Sequence, residues 1–425
     1  MLWNIKERSK HAAQMTLVVG RRRIGKTSLL LRAHKDSTML YFFVAKKNET
    51  LLCQEFVLEI RNKLQVELFG EFKTFKSVFD SLMELSKTRH FTLVIDEFQE
   101  FNSVNSSVYS DMQNSWDRQK ENSKINLILC GSVYSLMSRI FEHSKEPLFG
   151  RATARIHLKA FTTSTLKEIL EDHHPEYSNE DLLAFYTISG GVAKYVELLI
   201  LEKAFTLPSI LEVILAENSL FLNEGRNVLI EKFGKEYGNY FSILALIASS
   251  KTSRVEMESI MEINLGGFLD RLEHEFSLIT KVRPILAKPG SRSVKYRIND
   301  NFLNFWFRFI YKYGSTVEIG NLDYLKEIIK RDYDTYSGPI LEKYFMEKIM
   351  EERNFSTLGT YWEKGNQNEI EIVGINELEK SILFAEVKRN KKNISIPTLK
   401  NKAKKLHAQF EEYHADFTGL SLEDM

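Results

Sequence analysis

A glycine loop near the start of the chain carries residue types that bind phosphate. The loop, GRRRIGKT from Gly20 to Thr27, follows an apolar run and precedes the helix-forming residues SLLLRA. Its glycines let the backbone bend so that N–H groups at the start of the helix surround a polyanion. In this pattern Lys26 reaches the β- and γ-phosphates and the Thr27 hydroxyl binds Mg²⁺. The loop predicts a nucleoside triphosphate site, with a basic turn as the alternative. The residues expected to contact the nucleotide are Gly20, Arg21, Arg22, Arg23, Ile24, Gly25, Lys26, Thr27 and Ser28.

A second chemical pattern is the segment FTLVIDEF, in which five apolar or small residues precede Asp96 and Glu97. A continuous apolar run predicts a strand buried on both faces of a parallel sheet. The two acids then emerge at the carboxyl end of that strand, where such sheets bind ligands. We expect Asp96 to hold magnesium and Glu97 to orient and deprotonate the attacking water.

Two further candidates follow a third apolar strand, INLILCG, from Ile125 to Gly131. Ser132 directly after it can sense the γ-phosphate or the water, although serine is also an ordinary N-cap. Arg151, within PLFGRATAR, can stabilise transition-state charge if it reaches the nucleotide. A solvated or salt-bridged arginine is the alternative, for Arg151 as for Arg155.

Paired acids and a lysine recur near the C-terminus. Glu342 lies in a predicted helix, Glu371 in a predicted strand, and ILFAEVK bears Glu386 and Lys388. Residues two apart on a strand share a face, so Glu386 and Lys388 point the same way. Carboxylates on neighbouring strands can hold Mg²⁺ while the lysine positions water. A charged outer face of a sheet is the alternative.

A basic segment lies between these two regions. Residues 281–297 contain six basic residues and no acidic one: Lys281, Arg283, Lys288, Arg292, Lys295 and Arg297. With the helical patterns before it, this segment predicts a winged helix whose basic wing can contact DNA phosphates. The acids of the preceding helix would repel DNA, so internal packing of this region is the alternative.

The loop, the Asp-Glu pair, the CGS turn, PLFGR and GGVAKYVE together resemble the prokaryotic AAA/STAND-type family often called archaeal ATPases. The resemblance covers nearly the whole chain. It implies an α/β fold with an AAA-like, five-stranded parallel P-loop sheet, a helical lid, a winged helix and a PD-(D/E)XK nuclease-like domain. Where that nuclease pattern has aspartate this chain has Glu371, and because magnesium tolerates little displacement of a ligand, we expect weak or no cleavage. The expected domains are 1–160 (ATPase), 161–231 (lid), 232–315 (winged helix), 316–338 (helical connector) and 339–425 (nuclease-like).

Composition is that of a multidomain enzyme: 425 residues, 43% of them apolar, with two cysteines and a formal net charge of +1. Charges near the start argue against a signal peptide, and no apolar stretch reaches membrane-span length, so a cytoplasmic protein is expected. The residues favour an ATPase that binds ATP and Mg²⁺. The resemblance implies that its nucleotide state controls a DNA-directed module, and an oligomer is compatible with this. The alternative is a regulatory nucleotide switch with an inactive nuclease-like domain.

Overall fold

The computed structural model describes residues 1–132, 134–233, 237–288, 290–291, 293–352 and 354–425. They form two compact units, Met1–Lys159 and Ala160–Met425. The boundary expected at residue 160 falls at this junction. Within the described ranges, no helix combines the length and apolar character that crossing a bilayer requires.

Unit 1 is built around a parallel sheet. In the described part of this unit the sheet has five strands in the order β2-β3-β4-β1-β5, each parallel to its neighbours. This confirms the predicted five-stranded parallel sheet. The strands are β1 (Gln14–Val19), β2 (Met39–Phe43), β3 (Phe91–Asp96), β4 (Ile125–Gly131) and β5 (Ala154–His157).

The apolar sequence of the central strands is explained by burial, because every residue of β3 and of β4 is buried. Helices cover both faces of the sheet, as parallel strands require. They are α1 (Leu2–Ser9), α2 (Lys26–Ala33), α3 (Glu49–Leu64), α4 (Phe75–Thr88), α5 (Phe101–Val104), α6 (Val108–Gln119) and α7 (Tyr134–Glu142).

Unit 2 begins with helices. They are α8 (Thr163–His173), α9 (Asn179–Ser189), α10 (Ala193–Leu201), α11 (Leu207–Ile214), α12 (Leu220–Phe233), α13 (Tyr237–Ala248), α14 (Arg254–Met261) and α15 (Gly266–Asp270). An antiparallel pair follows, β6 (Ile279–Val282) and β7 (Lys295–Ile298). The chain continues through α16 (Asn301–Phe305), α17 (Gly314–Glu318) and the long helix α18 (Leu322–Glu352).

The C-terminal part of unit 2 contains a mixed sheet in the order β11-β10-β9-β8. Strand β9 is antiparallel to both of its neighbours, β8 and β10, whereas β10 and β11 run parallel with a helix between them in the chain. The elements are β8 (Thr357–Tyr361), β9 (Ile370–Asn376), β10 (Ser381–Lys388), α19 (Ile396–His407) and β11 (His414–Ser421).

One hydrophobic core extends through unit 2. It contains Leu166 of the expected lid, Tyr240 of the expected winged helix, Leu325 of the expected connector and Met425 at the C-terminus. Helix α18 also runs without interruption across residue 339, where the connector was expected to end. The four segments expected in this unit therefore all contribute to one core, and α18 joins the last two of them. The finer division remains a prediction.

Candidate functional site: the nucleotide loop and the C-terminal carboxylates

The glycine loop connects β1 to α2 in unit 1. Gly25 has a φ of 90° at the start of α2, a left-handed conformation that favours glycine. Gly20 lies so close to the chain after β5 that an added Cβ would be 2.6 Å from the Leu158 carbonyl oxygen. The two glycines therefore meet two different backbone requirements, one of dihedral angle and one of space.

Asp96 at the end of β3 is the meeting point of three hydrogen bonds. Thr27 Oγ1 donates to Asp96 Oδ2 over 3.2 Å, and the Tyr41 hydroxyl donates to the same oxygen. The Glu97 N–H donates to Asp96 Oδ1 over 2.9 Å. The carboxylate is thus held by the P-loop helix, by a neighbouring strand and by its own turn.

Glu97 has a φ of 51°, so its backbone is left-handed directly after β3. Such a conformation is uncommon for a non-glycine residue and is found preferentially at functional positions. Glu97 Oε2 accepts a hydrogen bond of 2.8 Å from Ser132 Oγ and another from Gln99 Nε2. The structure therefore brings the predicted residues Glu97 and Ser132 together.

Lys26 is buried beside these acids. Its Nζ donates to the Gly20 carbonyl over 2.8 Å and to the Arg21 carbonyl over 3.1 Å. Burial lowers the pKa of Lys26, while the negative charges of Glu97 and Asp96 oppose that change. A buried cation next to two carboxylates is the charge arrangement that a bound polyphosphate and a divalent cation would complete.

The donor set fits ATP and magnesium. A threonine hydroxyl and an aspartate carboxylate are hard oxygen ligands of the kind Mg²⁺ prefers, and they converge 3.2 Å apart. Of the other loop residues, Arg21 to Ile24 form the turn before α2, and Ile24 is buried. Ser28 is exposed on α2.

The structure corrects the prediction for Arg151. Its guanidinium forms a two-pronged ion pair with Asp117, with nitrogen–oxygen distances of 2.6 and 3.1 Å, and also donates to the Pro147 and Phe149 carbonyls. Arg151 precedes β5, whose first residue pairs with Thr16 of β1. It therefore lies toward the amino end of the strands, whereas the glycine loop follows their carboxyl end. Within this chain Arg151 is a salt-bridged residue away from the nucleotide site.

Sequence reasoning missed Tyr41 and Gln99. Tyr41 lies in the apolar run MLYFF, and its contact with Asp96 is made across 55 residues. Gln99 stands two residues after Glu97 in the turn DEFQEF, where a second polar side chain near the acids was the available signal. Each holds one of the two acids.

The C-terminal acids of unit 2 are close together but are held by lysines. Lys388 Nζ donates to Glu371 Oε1 over 2.5 Å, and Lys402 Nζ donates to Glu386 Oε1 over 2.9 Å. Burial, and then the charge of Glu371, raises the pKa of Glu342 to about 7. Glu371 is longer than the aspartate that such a site would use and reaches the lysine.

The described residues contain no group of three acidic, histidine or cysteine side chains arranged to hold a metal ion. The predicted metal site of Glu342, Glu371 and Glu386 is therefore not assembled. The physical reason is that Lys402 and the Ser395 N–H occupy the Glu386 carboxylate, while Lys388 occupies one oxygen of Glu371.

Part of the basic segment at 281–297 makes contacts within unit 2. Lys295 Nζ is 2.7 Å from Glu369 Oε1 and 4.7 Å from the centre of the Trp362 ring. The Ile285 N–H donates to the Thr360 carbonyl over 2.7 Å. Arg292 lies outside the described residues, while Arg283 and Lys288 are exposed. Internal packing, the alternative stated for this region, accounts for Lys295.

Residues 2–199 match a family model described as an ATPase domain predominantly from Archaea. This part of the chain is a P-loop ATPase domain. Residues 306–413 match a second family, described as archaea bacterial proteins of unknown function. The ATPase family thus covers unit 1 from its second residue and the first helices of unit 2.

Two further proteins match most of the chain. An uncharacterized protein of Methanocaldococcus jannaschii is 27% identical over 384 residues, covering 88% of this chain and 82% of the relative. Among solved structures, the Walker-type ATPase PABY2304 of Pyrococcus abyssi superposes with a TM-score of 0.54 at 17% identity, covering 72% of this chain and 94% of that one. At this sequence identity the structural similarity shows that the two proteins share a fold.

Proposed function

We propose that this ATPase hydrolyses ATP with Mg²⁺ through Lys26, Thr27, Asp96 and Glu97, assisted by Ser132. The observation that carries the proposal is that these side chains, from two strand ends and one helix start, meet at one edge of the sheet. Magnesium, when bound, neutralises charge on the phosphates. Lys26 then binds phosphate oxygens, and Asp96 and Thr27 orient the metal.

Glu97 has the geometry of a general base. Its carboxylate is oriented by two donors, Ser132 and Gln99, and lies at the turn next to the metal-side acid. A carboxylate so held accepts a proton from water as the water attacks the γ-phosphorus, and adenosine diphosphate and phosphate are the products. Ser132 positions Glu97 or the water.

The test of this proposal is Lys26→Ala. Calorimetry on the full chain with ATP and Mg²⁺ should show binding by the parent and none by the variant, because the buried cation that faces the phosphates is lost. Lys63→Ala, which removes an exposed lysine on α3, is the matched control and should bind as the parent does. Equal affinity in Lys26→Ala and the parent would contradict the proposal.

We further propose that the C-terminal part of unit 2 is a nucleic-acid-binding module with a winged helix and a nuclease-like fold. Three helices followed by the β6–β7 pair support the winged helix. The order helix, three antiparallel strands, helix and parallel strand, from α18 to β11, supports the nuclease-like fold. We assign this region binding rather than cleavage because lysines occupy its acids.

The surface that best fits a nucleic acid is the outer face of α19 with the turn before it. Residues 387–410 contain eight Lys or Arg and no Asp or Glu, in a chain whose net charge is +1. Lys392, Lys400 and Lys404 are exposed, and in the described part of the chain none of them has an acidic partner within salt-bridge distance. Lys400 and Lys404 stand one helical turn apart, so their charges point the same way.

Salt dependence tests this assignment. Replacing Lys392, Lys400 and Lys404 with Ala should weaken duplex DNA binding and reduce the slope of log K against log salt by about two to three units. Replacing the exposed wing residues Arg283 and Lys288 is the comparison. A larger loss from the wing pair would move the contact to the wing, and no binding by the parent at low salt would refute a nucleic-acid role.

A further inference from the structure

Tyr41 of unit 1 lies outside the glycine loop and the Asp-Glu pair, yet its side chain contacts Asp96. It lies in the middle of β2, which pairs in parallel with β3, so that Tyr41 stands opposite Val94 and Phe43 stands opposite Asp96. From there the phenol reaches along the strand, and its hydroxyl donates to Asp96 Oδ2. A side chain on the edge strand is thus bonded to the acid that ends the neighbouring strand.

The ring of Tyr41 is held between two elements of the site. It packs against the small apolar cluster that includes Leu30 of α2 and Val94 of β3. Leu30 follows Thr27 by three residues, which is one turn of the helix that begins at the glycine loop. The ring therefore packs against a cluster to which the helix that carries Thr27 and the strand that ends in Asp96 both contribute.

The hydroxyls of Tyr41 and Thr27 share one acceptor. Both donate to Asp96 Oδ2, and the other oxygen, Oδ1, accepts the Glu97 N–H. With donors on both oxygens, rotation of the carboxylate about its side-chain bond breaks at least one hydrogen bond.

We propose that Tyr41 is a positioning residue for magnesium binding: its hydroxyl fixes the orientation of Asp96 beside Thr27. The inference rests on the proposed magnesium-dependent function and extends it to a residue outside the phosphate loop. A metal-binding carboxylate is often oriented by a hydrogen-bond donor that does not itself touch the metal. Removing such a donor typically lowers metal affinity by about 10- to 100-fold. Tyr41 touches neither nucleotide nor water in this role and acts through Asp96.

The experiment is Tyr41→Phe, which deletes the hydroxyl and keeps the ring against the apolar cluster. Both it and the parent carry Glu97→Gln, so that hydrolysis does not interfere. A fluorescent ATP analogue is titrated in EDTA and then at increasing Mg²⁺. In EDTA we expect the variant and the parent to bind the analogue with nearly the same affinity. The Mg²⁺ concentration that produces half of the Mg²⁺-dependent gain in affinity should be about 10- to 100-fold higher for the variant.

The control is Thr16→Val, which removes a buried hydroxyl from β1 of the same sheet; this hydroxyl has no hydrogen-bond partner in the described part of the chain. It should titrate with Mg²⁺ as the parent does. If Tyr41→Phe titrates like the parent, the Tyr41 side chain only fills space. This inference then fails, while the proposed function still stands. If it loses affinity equally in EDTA and Mg²⁺, the hydroxyl supports the loop and not the metal, which also overturns it. A parent whose affinity ignores Mg²⁺ would refute the proposed function itself.

Discussion

Replacing Glu97 with glutamine separates binding from hydrolysis. The amide has the shape of the carboxylate and keeps one oxygen that can accept the 2.8 Å hydrogen bond from Ser132 Oγ. It cannot take a proton from water. Positioned general bases contribute about 10²- to 10⁴-fold to a rate, so the variant should lose that factor in kcat, equivalent to about 3 to 5 kcal/mol of barrier.

The assay is steady-state phosphate release by the full chain, with ATP affinity measured in parallel. Affinity should stay within a few-fold of the parent, since Lys26 and Thr27 are untouched, and the loss should fall on kcat, as expected for an interaction needed in the transition state. Glu100→Gln is the matched control: it removes a nearby glutamate whose carboxylate lies 3.9 Å from Lys46, and should leave turnover unchanged. Equal turnover in Glu97→Gln and the parent would refute the assignment of the base, while a loss of affinity would show that Glu97 supports the loop.

Two further predictions concern Arg151 and Glu342. Arg151→Ala should leave phosphate release by the monomeric chain unchanged while lowering the unfolding temperature of unit 1, because the arginine pairs with Asp117; a large loss of kcat with an unchanged melting curve would contradict this. Because the folded-state pKa of Glu342 is raised from 4.5 to about 7, the stability it contributes is present below pH 4.5 and is lost as the pH rises to about 7. Glu342→Gln should therefore remove up to about 3 kcal/mol of this pH dependence in urea unfolding measured between pH 4.5 and 8, and identical pH profiles would refute the pKa shift.

The ATPase half of the chain was readable from sequence because its signals are local. The expected strand ends at Val19, at Asp96 and at Gly131 agree with β1, β3 and β4. The glycine loop directly follows β1, Asp96 ends β3, and Glu97 and Ser132 directly follow β3 and β4. Parallel strands gather their carboxyl ends at one edge, so a pattern along the chain becomes a site in space.

The errors arose where position depends on distant partners. The sequence around Arg151 does not indicate that this residue precedes a strand and so lies at the amino end of the parallel sheet. It also does not indicate that Asp117 lies there to form an ion pair with it. The spacing of Glu386 and Lys388 was read correctly as one face of a strand. However, the lysine that binds Glu386 is Lys402, from the helix after the strand. Tyr41 escaped notice for the same reason, since its partner is 55 residues away.

The shared core of unit 2 limits how this half of the chain can be divided. Helix α18 crosses the junction at which a connector would be cut, and Arg389 at the end of β10 bonds to Glu180 of α9 over 2.6 Å. A fragment that begins after residue 338 would expose the apolar surface that Leu325 and its neighbours cover. Exchange of the C-terminal segment between related proteins therefore requires matching residues in the first helices of unit 2, such as α9, so the two regions should diverge together during evolution.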